Sequence, residues 1–492
     1  MRKPRRTLDW KEYENINKYA SSEKRLKKFS TEGYLKVALI YPNSYKTLAG
    51  NLGFHRVFEV ANSIPGVSCE RFFYDKRFNR FYSLDSLRPF DEFKIWMFSI
   101  SYELDFFNLM DILKKLRIPL LVHKRGERHP LIVIGGPLVT INPNLFVHIA
   151  DIIYHGEAEV NLSHLLNKIS ESLHKEKEKL LKKVSELENI SVPILNKMAH
   201  EEAIYRDVIH DPAGSVFLSK FGEFGDVFLI EVGRGCFRGC KFCTIGNLYG
   251  YFRPIRVESF IKKVEDTLSQ IDNIRDFKMG LVAPAVNDHP KFDEILDYLE
   301  RRNIRFSLSS LRVDKIDEKL LKGLLRSGQN MLTIAPETGS EKMREFLNKN
   351  ISDEEIYDKV SMARKLGFKK IKLYLMIGLP EETKEDLELS AKMIDRISSM
   401  GFNEIVISVN PFVPKPGTPL ENHKFLSIKE LLEKQEVLKV KLKNVKVNFE
   451  SLRESFIQYK LDHLDSRKSL KVIQVFDANG KQETFKLLKE MK

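Results

Sequence analysis

The stretch Gly233-Arg-Gly-Cys-Phe-Arg-Gly-Cys-Lys-Phe-Cys243 sets Cys236, Cys240 and Cys243 in a C-x3-C-x2-C pattern. The chain has four cysteines, and three of them fall here. Such crowding brings three thiolates within reach of one centre, and thiolates are the ligands that iron-sulfur clusters and zinc favour. Structural zinc closes with four protein ligands, commonly as two paired motifs, yet the chain has no second CxxC and no HxxxH. Ligand count therefore favours a cluster held by three cysteines, with one iron left open for a cofactor or substrate. Gly235 and Gly239 favour a loop whose backbone passes close to something bulky.

Working outward, the residues just before this loop, Val227 to Val232, read as a strand, and a strand-then-helix unit recurs six times from there. The other strands are expected at Lys278 to Ala283, Arg305 to Ser309, Met331 to Ala335, Lys370 to Ile377 and Glu404 to Asn410. Between them, Val257, Phe260, Ile261, Val264, Leu268 and Ile271 keep helical spacing, as do Ile316, Leu320, Leu321 and Leu324. Thr383 and Asp386 have the spacing of a helix-start box. Six units are too few for the closed eight-stranded barrel. Parallel α/β sheets carry their chemistry at the carboxyl ends of the strands, where the cysteine loop lies.

Motif and unit count together resemble the radical S-adenosylmethionine (SAM) superfamily and its open three-quarter barrel. The resemblance implies a 4Fe-4S cluster on Cys236, Cys240 and Cys243 whose open iron chelates SAM. It also implies reductive cleavage of SAM to a 5'-deoxyadenosyl radical, and an electron donor such as a ferredoxin or flavodoxin. Cofactor-binding residues carried over are Phe242 beside the last cysteine, Arg312 after strand three, Glu337 after strand four, Gly378 in Gly378-Leu-Pro-Glu-Glu-Thr383, and Phe412 in Asn410-Pro-Phe-Val-Pro-Lys-Pro-Gly417. Arg312 can meet a carboxylate bidentately, and Glu337 offers acceptors to ribose hydroxyls or an amine. Either can equally be half of a structural ion pair. The Gly-Gly-Glu that many members carry after strand two is absent; Ala283-Pro-Ala-Val-Asn-Asp-His-Pro290 stands there, and Asp288 and His289 read as the start of a helix.

Upstream, Leu35 to Tyr41, Val67 to Tyr74, Lys94 to Ile100 and Leu131 to Ile134 read as strands, with helices to about Asn62 and near Asp105 to Leu116. That alternation implies a parallel sheet covered on both faces. Tyr41-Pro-Asn, Asn51-Leu-Gly-Phe, Gly135-Gly-Pro137 and Asp151-Ile-Ile-Tyr-His-Gly-Glu157 resemble the Rossmann-like, cobalamin-binding-type domain that precedes many radical SAM cores. No Asp-x-His-x-x-Gly motif is present, so His55 and His155 read as ordinary helix or loop residues. Cobalamin is possible but not the preferred expectation, and would bind without histidine ligation; the domain is expected to position substrate or pack on the barrel. Cys69, in a strand-like run, reads as a small core residue.

The expected architecture is thus α/β: a basic segment 1–33, a doubly wound Rossmann-like domain 34–170, a charged linker 171–222, a (βα)6 radical SAM core 223–422 and a helical C-terminal extension 423–492. With 81 Lys and Arg against 68 Asp and Glu, the formal charge is +13. That leaves RNA as a possible partner, while Lys and Glu intermixed along helices fit a solvated, ion-paired surface. No apolar run nears the roughly 18 residues that span a bilayer, and Met1 to Arg6 lacks the apolar core of a signal peptide; a cytoplasmic protein is expected. The substrate and its transformation stay open, with methylation or methylthiolation as options. The rival from another class is a non-catalytic iron-sulfur or zinc protein that binds RNA through its basic surface.

Overall fold

The computed structural model describes residues 9–173, 175–199, 201–271, 277–442 and 445–491, so the Met1 to Arg6 segment lies outside the described residues. Two compact units emerge. The first falls within Met1–Tyr205, Ala213–Val227 and Lys460–Lys492, and the second within Arg206–Pro212 and Phe228–Tyr459.

The first unit is built on a six-stranded sheet: β1 (Leu35–Tyr41), β2 (Val67–Phe73), β3 (Ile95–Ser99), β4 (Leu131–Gly135), β5 (Ile152–Tyr154) and β6 (Ile190–Ser191). The order is β2-β1-β3-β4-β5-β6, parallel throughout except for the antiparallel last pair. This is the Rossmann-like arrangement expected. Every residue of β2 and β3 is buried, and all but one of β1, as a parallel sheet packed on both faces requires. Asn51 caps the helix Leu52–Asn62 by accepting from Phe54 N–H at 2.8 Å. Gly136, at φ +104°, leaves no room for a side chain, since a Cβ would stand 2.6 Å from the Ile100 carbonyl oxygen. Gly136 thus serves close backbone packing at the end of β4.

Two expected boundaries differ from the structure. The segment 171–222 is largely built into the first unit: the helix Lys177–Val184 buries Leu180, Leu181 and Val184, and Ile190–Ser191 extends the sheet. Its charge conceals an apolar stripe. Nor are residues 423–492 one appendage. Lys446–Phe449 forms a strand of the second unit, whereas the helix Ser466–Glu490 belongs to the first. There Asn142 Nδ2 donates to the carbonyls of Leu461 and Leu464, each at 2.9 Å, and Phe107 packs against Phe476 and Phe485.

The second unit holds all six predicted strands and a seventh: β7 (Phe228–Glu231), β8 (Lys278–Val282), β9 (Arg305–Ser307), β10 (Met331–Glu337), β11 (Lys370–Ile377), β12 (Glu404–Pro411) and β13 (Lys446–Phe449). They form parallel ladders β9-β8-β7 and β10-β11-β12-β13. A parallel bridge between Leu311 and Ile334 joins the two. Among the described residues no ladder pairs β7 with β13, so the barrel is open. Helices between the strands are amphipathic as predicted, and Thr383 with Asp386 forms the capping box of the helix Lys384–Ser398. Among the described residues, no helix is long and apolar enough to cross a membrane.

Candidate cluster and cofactor site

The cysteine loop leaves β7 at its carboxyl end. Gly235 adopts φ +77°, and a Cβ there would lie 2.2 Å from the Tyr251 carbonyl oxygen, so only glycine fits. All three thiols are free and half-buried. The backbone around them is held from several sides. Cys243 N–H donates to the Cys240 carbonyl at 3.1 Å, and Asn247 Nδ2 donates to both carbonyls, at 3.1 and 2.7 Å. Asn348 Nδ2 donates to the carbonyls of Arg238 and Gly239 at 3.0 and 2.9 Å, while Lys241 N–H donates to Leu347 O at 3.0 Å.

Charge completes the clamp. Arg238 Nε meets Asp288 Oδ2 at 2.8 Å, and its Nη1 meets Asp314 Oδ2 at 3.0 Å. Asp314 also accepts from Arg312 Nε at 2.9 Å. Asp288 follows β8, and Arg312 and Asp314 follow β9, so this network ties the loop to the next two strand ends. Asp288 therefore does not start a helix as the sequence suggested: the helix begins at Phe292 without a side-chain cap. His289 instead donates from Nε2 to Ile255 O at 2.7 Å and accepts Lys291 N–H.

Burial pushes the Cys236 and Cys240 thiols upward, and the neighbouring Cys243 adds to it; Lys349 and Arg312 pull Cys240 back down. The two cations thus offset part of the rise at Cys240, and a bound metal would hold the sulfurs as thiolates. Among the described residues no three His, Cys, Asp or Glu side chains converge closely enough for one metal ion. A cluster does not ask this of them, because each cysteine takes a separate iron. The donor set of three soft sulfurs fits such a cluster.

The residues carried over as cofactor-binding sort into two groups. Phe412 lies in an apolar cluster with Met343, Leu347, Leu379 and Leu420, against which Phe242 and Met376 pack. This joins the cysteine loop to the ends of β11 and β12. Gly378, at φ +80°, receives Leu431 Cδ2 so closely that a Cβ would be 2.8 Å away, and its N–H donates to Glu382 Oε2 at 2.8 Å. Arg312 and Glu337 both sit in ion pairs, Arg312 with Asp314 and Glu337 with Lys349 Nζ at 2.6 Å. Glu337 stands at φ +69° beside a register shift in the β10–β11 ladder. Backbone strain of this kind in a non-glycine residue concentrates at functional sites. The Arg238 network and Asn348 were not foreseen; their partners are distant in sequence, and no local spacing marks them.

In the first unit, His55 is fully buried, donates from Nε2 to Ala49 O at 3.2 Å, accepts Val216 N–H on Nδ1 and stacks on Phe217. Burial lowers its pKa to about 3. His155 Nε2 meets Ser191 Oγ at 2.8 Å, and burial lowers its pKa to about 4. Cys69 is buried within β2.

Comparison with known proteins agrees with this geometry. A family model described as radical SAM proteins, N-terminal, matches residues 53–193, and the radical SAM superfamily model matches residues 230–394. An uncharacterised protein of Methanocaldococcus jannaschii is 29% identical over 423 residues, covering 86% of this chain and 87% of its own length. An uncharacterised methyltransferase of Pyrococcus horikoshii is 23% identical over 321 residues, covering 61% of this chain and 64% of that protein. The radical SAM methyltransferase TsrM from Kitasatospora setae, solved with cobalamin and a 4Fe-4S cluster bound, has a TM-score of 0.55 at 14% identity, covering 78% of this chain and 74% of that one. The cobalamin-dependent radical enzyme OxsB, solved with aqua-cobalamin bound, gives 0.51 at 16% identity, covering 83% of this chain and 56% of that one. At these identities the likeness to the solved structures is one of fold. With the N-terminal model matched within the Rossmann-like unit and the superfamily model matched from the first barrel strand onward, the chain belongs to the radical SAM superfamily of enzymes.

Proposed function

We propose that Cys236, Cys240 and Cys243 hold a 4Fe-4S cluster whose open iron takes SAM, and that the enzyme performs a methyl or methylthio transfer. The observation that carries this is the glycine-turned loop with three free thiols, fastened by Arg238 and Asn348 at the carboxyl end of the first strand of an open parallel barrel. When bound, such a cluster supplies an electron that cleaves the SAM sulfonium. The chain's own part is to position. Phe242, Leu379 and Phe412 offer an apolar wall beside the loop for the adenine. Glu337, held by Lys349, offers acceptors for the SAM amine or ribose, and Arg312 offers its guanidinium to the carboxylate.

Transfer chemistry is favoured by the names of relatives: the uncharacterised Pyrococcus methyltransferase, and the ribosomal protein uS12 methylthiotransferase RimO of Thermotoga petrophila, 24% identical over 180 residues, 34% of this chain and 41% of RimO. The fold likeness to TsrM and OxsB supports cobalamin as a second cofactor of the first unit. His55 is not poised to ligate its cobalt, since both its ring nitrogens are used inside the fold, and His155 has its Nε2 on Ser191 Oγ. The test is anaerobic incubation of reconstituted protein with SAM and a strong reductant, with and without hydroxocobalamin, followed by product analysis. Formation of 5'-deoxyadenosine or S-adenosylhomocysteine supports the reading; intact SAM under every condition counts against it.

A further inference from the structure

Parallel strands flanked on both sides are normally buried on both faces and read as unbroken apolar runs, and the interior of a closed (βα)8 barrel is filled by bulky aliphatic side chains. The central strand β11 breaks this rule. In Lys370-Ile-Lys-Leu-Tyr-Leu-Met-Ile377 the residues alternate strictly between half-buried and buried. Ile371, Leu373, Leu375 and Ile377 are fully packed, whereas Lys370, Lys372, Tyr374 and Met376 line the opposite face. Met376 on that face packs against the apolar cluster that includes Phe412 and is joined by Phe242 of the cysteine loop. The half-buried row is therefore the one that leads to the cysteine loop.

Neighbouring strands continue the polar row in register. Thr333 lies opposite Lys372 on one side; Ser408 lies opposite Tyr374 and Asn410 opposite Met376 on the other. Lys372 Nζ donates to Tyr374 OH at 2.8 Å and stands 4.5 Å from its ring centroid. Its strand neighbour Lys370 pairs with Glu404 at 2.6 Å, but among the described residues Lys372 meets no carboxylate. A partly desolvated ammonium with spare donors and no counterion is matched by an anion brought from outside.

Resting on the enzyme reading above, in which substrate meets the concave face of the barrel, we infer that Lys372, braced by Tyr374, binds an anionic group of the substrate, a carboxylate or a phosphate. Ser408, Asn410 and Thr333 supply hydrogen bonds to the rest of that molecule.

The test needs no turnover. Wild-type reconstituted protein is treated with two pairs of amine-reactive aldehydes that differ by one anionic group: pyridoxal 5'-phosphate against pyridoxal, and glyoxylate against its methyl ester. Each aldehyde condenses with an amine with loss of water, borohydride reduces the imine, and peptide mass spectrometry reads the labelling at each lysine. Exposed Lys424 reports intrinsic reactivity. Lys372 is expected to prefer the anionic member by about tenfold more than Lys424 does, the size of one charge-assisted hydrogen bond. Preference in the phosphate pair alone assigns a phosphate, preference in the glyoxylate pair alone a carboxylate, and preference in both an anion subsite open to either. A preference no greater than that of Lys424 in both pairs overturns the inference. A preparation that labels selectively yet binds no cluster counts against the enzyme reading, so the two failures are told apart.

Discussion

The two parallel sheets of this chain are built from the same kind of unit and end up with opposite interiors. In the Rossmann-like sheet, Val67-Ser-Cys-Glu-Arg-Phe-Phe73 is buried at every position even though Glu70 and Arg71 are charged. Arg71 is enclosed by Glu23 and Asp85, each reached by Nη2 at 2.7 Å. In the open barrel, β11 keeps one face apolar and leaves Lys372 on the other without a counterion among the described residues. A charge inside the first sheet is matched internally and belongs to the core, whereas the charge on the second awaits a partner. The difference marks one sheet as scaffold and the concave face of the other as a working surface.

The cysteines test this contrast most severely. Cys240→Ala is expected to take iron content from about four per chain to near zero on reconstitution, while Cys69→Ala, a change in the scaffold core, leaves it intact. Iron analysis and the visible absorbance of both variants decide the matter; equal iron in the two would break the distinction.

Next in size is the cost of removing each cation. Arg71→Met strands the buried carboxylates of Glu23 and Asp85, and a loss of about 3–5 kcal/mol in unfolding free energy is expected. Lys372→Met strands no charge and is expected to cost less than about 1 kcal/mol. Denaturant unfolding of the two variants, followed by circular dichroism, compares them directly; similar losses would show that Lys372 is structural after all.

A smaller effect concerns Asp105, at the start of the helix that follows β3. It accepts from Asn43 at 2.7 Å through Oδ1, its Oδ2 has no hydrogen-bond partner among the described residues, and burial raises its pKa to about 7. Because the folded-state value lies above that of an unfolded aspartate, near 4, the folded state holds the proton more tightly. Its contribution to stability is complete below about pH 4 and is lost as pH rises toward 7. Asp105→Asn keeps the Oδ1 acceptor and cannot ionise, so it should be neutral at pH 4 and stabilising by roughly 1–3 kcal/mol at pH 8. Thermal melts at the two pH values check the sign, and a variant equally stable relative to wild type at both would exclude Asp105 as the titrating group.

Much of the scaffold and the centre of the site were legible in the sequence for physical reasons. Runs such as Leu35-Lys-Val-Ala-Leu-Ile-Tyr41 have one reading as buried strands, and three cysteines between glycines have few readings at all. Other features were hidden because their cause is not local. The strand Lys446–Phe449 is short and partly exposed, and only its ladder with β12 identifies it. The helix Lys177–Val184 carries so much charge that its buried Leu180, Leu181 and Val184 were outweighed. Arg238 finds Asp288 and Asp314 far along the chain. Arg312 and Glu337 read from the sequence either as cofactor ligands or as halves of ion pairs, and the structure shows each in an ion pair.

Everything proposed for the site depends on Cys236, Cys240 and Cys243 holding a cluster with one iron open to SAM. The most direct measurement is the electron spin resonance spectrum of the reduced, reconstituted protein before and after saturating SAM. A 4Fe-4S signal whose g-values shift when SAM is added is expected, with both signal and shift missing in Cys240→Ala. A cluster signal that saturating SAM leaves unchanged would contradict it and point to an electron-transfer or structural cluster instead.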